Sequence, residues 1–265
     1  MAYSSSGDTG VCTSFIGKPL DHGDRIKKKI VFLNSKGGCG KTTLSTNLAS
    51  YYAANGYPTA LLDYDPQDSA IRWLRQRPED RPEIHGIAAG NSPGASVTRS
   101  FQMRIPPGTE RIILDTPASL KRMDMIDILR GAAAIVIPML PSAIDSYVTV
   151  AFIRELGSMS RTYAPAAPFA IVANRVRRNT RALSSLMEFL GRFDMQPVAL
   201  LRDTQNYVHA AETGLGIHEM NRHQTRVDRE QWNPLVEWLE TVHSEHTPMS
   251  AVSAIEPCMP KPAFA

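Results

Sequence analysis

Cysteine is scarce in this chain of 265 residues: Cys12, Cys39 and Cys258 are its only three, and they lie far apart. That is too few, and too scattered, for a disulfide framework, a zinc site or a cysteine-ligated iron–sulfur cluster. No run of about 18 apolar residues occurs, so no segment reads as a transmembrane helix. The N-terminus lacks the charged-then-apolar pattern of a secretory signal. Charge of one sign is also in short supply. Lys and Arg number 29 against 26 Asp and Glu, a net +3 that neither demands nor excludes a nucleic-acid partner. No internal repeat is visible, and no N-K-x-D pattern for guanine. The apolar fraction of 43% suffices for one large core, so a single soluble domain is expected.

What is present centres on Lys36-Gly37-Gly38-Cys39-Gly40-Lys41-Thr42-Thr43. Gly40, Lys41 and Thr42 fit the end of the phosphate-loop pattern G-x-x-x-x-G-K-[ST]. Its opening glycine would fall on Ser35, so the start is unusual: Lys36 and the Gly37-Gly38 pair take it over. Successive small residues let backbone N–H groups turn inward around phosphate oxygens. Lys41 has the reach for β- and γ-phosphates, and the Thr42 hydroxyl suits Mg²⁺. Cys39 reads as a small filler of the loop. The flanks agree. Residues 29–34 form a short apolar run suited to a buried parallel strand. Leu44, Leu48, Tyr51 and Tyr52 then recur at helical spacing until Asn55-Gly56 stops them. A helix N-terminus would therefore face the phosphates.

Two more strands run into carboxylates. Residues 58–62 precede Asp63-Tyr64-Asp65-Pro66-Gln67, and Arg111-Ile112-Ile113-Leu114 leads into Asp115-Thr116-Pro117. Ligands of open α/β sheets bind at the C-terminal strand edge, so these segments should share one site with the loop. Asp115 has the position of a Walker B metal carboxylate. Further buried strands are expected at 132–137, 169–173 and 198–201, with helices at 144–158, 180–193 and 228–243. The alternation predicts an α/β fold: one doubly wound, mainly parallel sheet flanked by helices, over residues 25–246. Residues 77–110 show only short strand-like pieces such as 83–88. Residues 1–24 read as a disordered leader, and 247–265 as a flexible tail. The basic run Arg25–Lys29 reads as a solvated entry to the first strand.

The loop lysine, Asp63-x-Asp65-Pro66-Gln67 and Asp115-Thr116-Pro117 resemble the ParA/MinD group of deviant Walker ATPases. The likeness continues through 138–145, 173–176, 202–207 and 210–214, and is closest to the small ParA-type partition and cargo-positioning members. The resemblance implies a P-loop NTPase fold, ATP and Mg²⁺ as ligands, and slow ATP hydrolysis that a partner stimulates. It implies an ATP-bound sandwich homodimer in which Lys36 contacts the other subunit's nucleotide. It makes Asp65 the residue that positions the attacking water, beside Lys36 and Lys41 in catalysis. Asp63 joins Thr42 and Asp115 around the metal or orients the switch. Asn174, ending a strand in Ala-Asn-Arg-Val, would read the adenine, while the loop from Lys36 to Thr43 holds the phosphates.

The partner question turns on arginine. Arg175, Arg177, Arg178 and Arg181 lie close together, with Arg192 and Arg202 nearby. Such a cluster is a solvated helix face or a sequence-neutral DNA surface. The resemblance favours double-stranded DNA through Arg177, Arg178, Arg181 and Arg202, and with it a bacterial cytoplasmic, nucleoid-associated location. The cargo adaptor is unspecified. The cargo is a plasmid, a chromosome locus, a chemoreceptor cluster or a microcompartment such as a carboxysome. The rival is a MinD-like membrane ATPase. Against it, the last helix and tail carry Asp228, Glu230, Glu237, Glu240 and Glu245 but, beyond the helix, one lysine, Lys261, a pattern opposed to anionic lipid. The stripe of Trp232, Leu235, Trp238 and Leu239 should pack on the core. Two further classes share the scaffold: a metabolic enzyme, either a ligase, whose substrate motifs are not found here, or a reductase, which would need cluster-ligating cysteines, and a nucleotide-dependent scaffold with little hydrolysis.

Overall fold

The computed structural model describes residues 27–90, 105–163 and 167–242. The expected leader and tail lie outside them. Seven strands form one sheet: β1 (Lys28–Phe32), β2 (Thr59–Asp63), β3 (Ile84–Ala88), β4 (Arg111–Asp115), β5 (Ala134–Met139), β6 (Phe169–Val176) and β7 (Pro197–Arg202). Their order is β3-β2-β4-β1-β5-β6-β7. Every pairing is parallel, so each crossover must leave the sheet and return over a face. The helices are α1 (Lys41–Ala54), α2 (Ser69–Arg75), α3 (Arg122–Leu129), α4 (Ala143–Tyr163), α5 (Arg181–Gly191), α6 (Gln205–Thr213) and α7 (Arg222–Thr241).

Alternation along each strand divides the core in two. Ile30 and Phe32 of β1 face α1, α2 and α7, packing with Leu44, Leu48, Tyr52, Trp73, Trp232, Leu235 and Leu239. Val31 and Leu33 face α3, α4 and α5, packing with Ile128, Leu129, Ile153, Leu156, Leu186 and Leu190. The apolar stripe of α7 is thus spent on the sheet: Trp232 and Leu235 are fully buried.

The sequence pattern places each strand within a few residues. Helix α7 starts at Arg222 rather than 228, because Asn221 caps it by accepting from the His223 N–H at 2.9 Å. Strand β5 starts at Ala134 rather than 132, because the Ala132 N–H closes a turn on the Leu129 carbonyl. Helices α2, α3 and α6, of seven, eight and nine residues, have no counterpart in the sequence pattern. Two turns carry too little periodicity to register.

Within the basic entry to β1, Lys27 is exposed and Arg25 lies outside the described residues, but Lys28 is not solvated. Lys28 is 6% exposed and donates to the Leu239 carbonyl at 3.0 Å and to Glu240 at 3.2 Å. Glu240 also accepts from the Tyr52 hydroxyl at 2.8 Å and Arg111 at 3.4 Å. Lys29 donates to the Arg130 carbonyl at 2.9 Å, and burial pushes its pKa down to about 8. The Glu240 contacts seat α7 at the end of the sheet opposite the loop.

A second polar tie ends nearer the loop. Arg77, just past α2, forks onto Glu219 at 2.8 and 2.5 Å, and both side chains are almost fully buried. Glu219 also accepts from the Gly216 N–H, and Trp73 donates its indole N–H to the Leu215 carbonyl at 3.2 Å. Gly214, at φ 66°, abuts the Gln76–Arg77 backbone so closely that a Cβ would overlap it. The same segment meets α1, where the Ile217 N–H donates to Asn47 at 2.8 Å.

Removing one partner of a buried pair strands the other. Glu219→Ala should therefore cost about 3 kcal/mol of unfolding free energy, whereas truncating the exposed Glu188 of the Arg192 surface pair should cost under about 1 kcal/mol. Urea melts of the two variants check this; equal costs would show that the Arg77–Glu219 tie contributes nothing special.

Candidate nucleotide-binding site

Strand β1 lies between β4 and β5, where successive crossovers diverge to opposite sides of the sheet, and the loop follows it directly. This is the crevice that open α/β sheets offer to ligands. Register carries the carboxylates there too: Asp63 is paired with Asp115 across β2 and β4, and Phe32 with Asp115 across β1 and β4. Asn174, near the end of β6, reaches the same edge.

Helix α1, like α2 and α3, opens without a side-chain cap. Helices α5, α6 and α7 are each capped by a side chain, from Thr180, Thr204 and Asn221. Helix α1 follows Gly40 with no side-chain cap and no acid in its first turn. The residue before it thus takes none of its first N–H groups with a side chain, and those groups lie in a positive end potential. Gly40 is required here: its φ is 100°, and a Cβ would overlap the Asn174 amide. That amide donates to the Cys39 carbonyl at 2.9 Å, so Asn174 braces the loop from beneath. Lys41 is 7% exposed, and its ammonium donates to the carbonyls of Asn34 at 3.2 Å and Lys36 at 3.0 Å. Cys39 is buried with its thiol donating to the Lys36 carbonyl at 3.2 Å. Burial pushes that thiol's pKa up, as suits a filler. Lys36 is half-buried, with its N–H on the Asn34 side chain at 3.0 Å. Gly37 and Gly38 are exposed, and Thr42 and Thr43 half-buried.

The two strand-end aspartates differ. Asp63 is saturated: one oxygen accepts from the Asp65 N–H at 3.0 Å, the other from Ala70 at 2.8 Å and Ile71 at 3.2 Å. It thereby shapes the turn and anchors the start of α2. Asp115 is fully buried, yet neither carboxylate oxygen has a hydrogen-bond partner among the described residues. Burial pushes its pKa up to about 7, against the opposing pull of the nearby Thr42 side chain. An orphaned buried carboxylate beside a threonine is what a hard cation requires. The residues present fit Mg²⁺, with Thr42 and Asp115 its best-placed holders and Asp63 behind them.

Asp65 is half-buried and accepts from the Gln67 N–H at 2.9 Å. It lines a cavity of about 510 Å³ together with Pro66, Pro117, Ala118, Ser119 and Asp124. Thr116 donates to the Phe32 carbonyl at 2.7 Å, pinning the start of that second segment to β1. Sequence reasoning missed Asn34, which is 2% exposed and holds the start of the loop. Its position between an apolar run and a glycine loop signals only a strand end.

The arginines divide. Arg177, Arg178 and Arg181 are exposed at the β6–α5 turn, and Arg177 pairs with Asp203 at 2.8 Å. Arg202 differs: its fork meets the fully buried Asp228 at 2.5 and 3.1 Å, joining β7 to α7.

Comparison with known proteins fits this geometry. The CobQ/CobB/MinD/ParA nucleotide binding domain model matches residues 30–217. The Maintenance of carboxysome distribution protein A of Halothiobacillus neapolitanus is 28% identical over 162 residues, 60% of this chain and 72% of that protein. Protein ParA of Rhizobium radiobacter is 26% identical over 167 residues, with the same coverage of each chain. A solved ATP complex of a McdA variant from Cyanothece superposes with a TM-score of 0.58 at 14% identity, over 80% of this chain and 98% of that one. At that identity the superposition speaks to the fold.

The buried Asp115 generates a pH test. An unfolded aspartate titrates near about 3.9, and the folded one near about 7. Between those values the folded state keeps a proton that the unfolded state has lost, so this group's contribution to stability falls as pH rises through the window. Nucleotide-free Asp115→Asn should therefore gain in Tm over the parent at about pH 8 and lose that advantage towards about pH 4. Parallel Tm–pH curves would contradict it.

Proposed function

We propose that this chain, which belongs to the CobQ/CobB/MinD/ParA nucleotide-binding domain family, is a Mg²⁺-dependent ATPase that positions or partitions a cargo by cycling between monomer and ATP-bound dimer. The observation that carries the reading is the uncapped N-terminus of α1 beside the orphaned carboxylate of Asp115. One accepts an anion, the other a cation, at a single sheet edge. The names of the relatives from Halothiobacillus and Rhizobium support a positioning or partition role.

The chain's own residues suffice to describe the work. The N–H groups from Gly37 to Thr43 receive the phosphates. Lys41, held on the Asn34 and Lys36 carbonyls, turns a donor to the β- and γ-phosphate oxygens. Mg²⁺, when bound, supplies charge neutralisation on those oxygens. Asp65 holds the attacking water, and Lys36 reaches the nucleotide of a second subunit, so that ATP and dimerisation are linked. Asn174 takes the adenine edge by giving up its loop carbonyl. Arg177, Arg178 and Arg181 contact DNA phosphates without reading bases, placing the dimer on the bacterial nucleoid in the cytoplasm. The Arg202 fork stays on Asp228, so that pair adds no net charge to the surface. An adaptor on the cargo raises the hydrolysis rate, and the cargo is a plasmid, a chromosome locus or a protein assembly such as a carboxysome.

Lys41→Ala should lower ATP affinity by at least about 100-fold, the loss of charge-assisted bonds to phosphate. Asp65→Ala should keep ATP affinity, lose turnover and accumulate as dimer in sedimentation with ATP. Unchanged affinity in the first, or parental turnover in the second, would remove the assigned role.

Charge reversal tests the surface. Arg178→Glu with Arg181→Glu should abolish DNA binding while sparing ATP affinity and dimerisation. In the parent, log affinity should fall steeply with log salt and vary little with base sequence. Equal DNA affinity in ATP and ADP, or preference for one short sequence, would sink the nucleoid reading.

A further inference from the structure

Among the described residues, four that are not glycine have a left-handed backbone: Asp68, Arg175, Asn179 and Asp194. Three of them are Asp or Asn, whose short polar side chains tolerate it. Arg175, at φ 52°, has no such side chain. It lies near the end of β6, in a bulge. From Ala173 to Val176 the chain takes three steps while β7 takes two, from Leu200 to Arg202. Ala173 and Val176 both pack in the core on the α4 and α5 side, so β6 must turn one extra residue out of its alternation. Asn174 stays buried and Arg175 is exposed. The Arg175 guanidinium has no hydrogen bond or ion pair among the described residues. Its N–H donates to Asn174 Oδ1 at 2.9 Å, and Asn174 Nδ2 donates to the Cys39 carbonyl at 2.9 Å. One amide thus ties the strained residue to the phosphate loop.

We propose that Arg175 contacts the bound nucleotide, its planar guanidinium lying over the face of the purine whose edge Asn174 takes. The proposal rests on the reading above that gives Asn174 that edge. Strain of this kind persists where the surroundings over-determine it, and it clusters at ligand sites. A bulge beside such a site re-aims one side chain. The alternative ligand for an exposed arginine here is DNA, since Arg177, Arg178 and Arg181 follow closely. Contacts to DNA phosphate are charge-driven and tolerant of geometry, so they do not need one arginine held on a strained backbone. Stacking on a base does need aim, because the guanidinium and the ring must lie plane to plane. The phosphates have Lys36, Lys41 and the start of α1 for partners. That leaves the base as the group that an arginine beside Asn174 serves.

The test compares Arg175→Ala with Arg175→Gly in the full chain. Both remove the guanidinium and keep the N–H that Asn174 accepts, but only glycine relieves the left-handed backbone. Without ligand, Arg175→Gly should therefore melt above Arg175→Ala. In calorimetry with Mg²⁺, both variants should bind ATP and ADP about tenfold more weakly than the parent, the scale of one stacked cation. Inorganic tripolyphosphate, which has no base, should compete for the site equally well in parent and variants. At saturating ATP, DNA affinity should stay within about threefold of the parent, as one distant charge allows. Parental ATP affinity in Arg175→Gly would overturn the proposal, since backbone strain alone would then account for the alanine variant. So would an equal weakening of tripolyphosphate, which would put the guanidinium on phosphate. A loss of DNA affinity with ATP affinity unchanged would overturn it too, by putting Arg175 on the DNA surface. A parent that binds no nucleotide would refute the ATPase reading itself and the proposal with it, a result separate from any difference between the variants.

Discussion

Helix α1 leaves its first N–H groups without a side-chain cap, and β4 ends beside it in a buried aspartate without a hydrogen bond among the described residues. Both are costs in the nucleotide-free chain. Much of the surrounding structure serves to keep them in place. Lys41 rests on the Asn34 and Lys36 carbonyls at the start of the loop. Asn174 closes the loop from below, and Gly40 gives the close approach that this needs. A site built this way carries unmet polar groups that a bound ligand would satisfy.

The sheet explains why those costs fall together. In an all-parallel sheet the C-terminal ends of β1, β2, β4 and β6 share one edge, so the loop, Asp63, Asp115 and Asn174 converge without any long-range design. The opposite edge is closed by the Glu240 cluster, which holds α7 on the sheet. The Arg77–Glu219 tie fastens α2 to the segment after α6. Helix α2 is also anchored through Asp63, so the turn holding Asp65 is bounded by the sheet on one side and by a buried ion pair on the other.

The loop, both aspartate segments and the parallel sheet were legible in the sequence because each depends on local patterning: short apolar runs, clustered glycines, a polar residue at a strand end. The rest was hidden because it depends on distant partners. Nothing local separates Asp63, which is saturated by backbone donors, from Asp115, which is orphaned. Nothing local shows that Arg202 faces the buried Asp228 while Arg178 faces solvent. Lys28 reads as a solvated basic residue until α7 is folded over it. Asn34 reads as the end of a strand until the loop, β5 and α4 are brought around it.

If α1 and Asp115 together form one site for a phosphate chain and a divalent cation, nucleotide and metal must bind as a pair. Calorimetric titration of ATP into the unmodified chain, with Mg²⁺ and with the cation chelated, tests this most directly. The expected result is saturable 1:1 binding that tightens by at least about tenfold with Mg²⁺, the scale of one charge-assisted contact. Absence of binding, or an affinity indifferent to Mg²⁺, would contradict it.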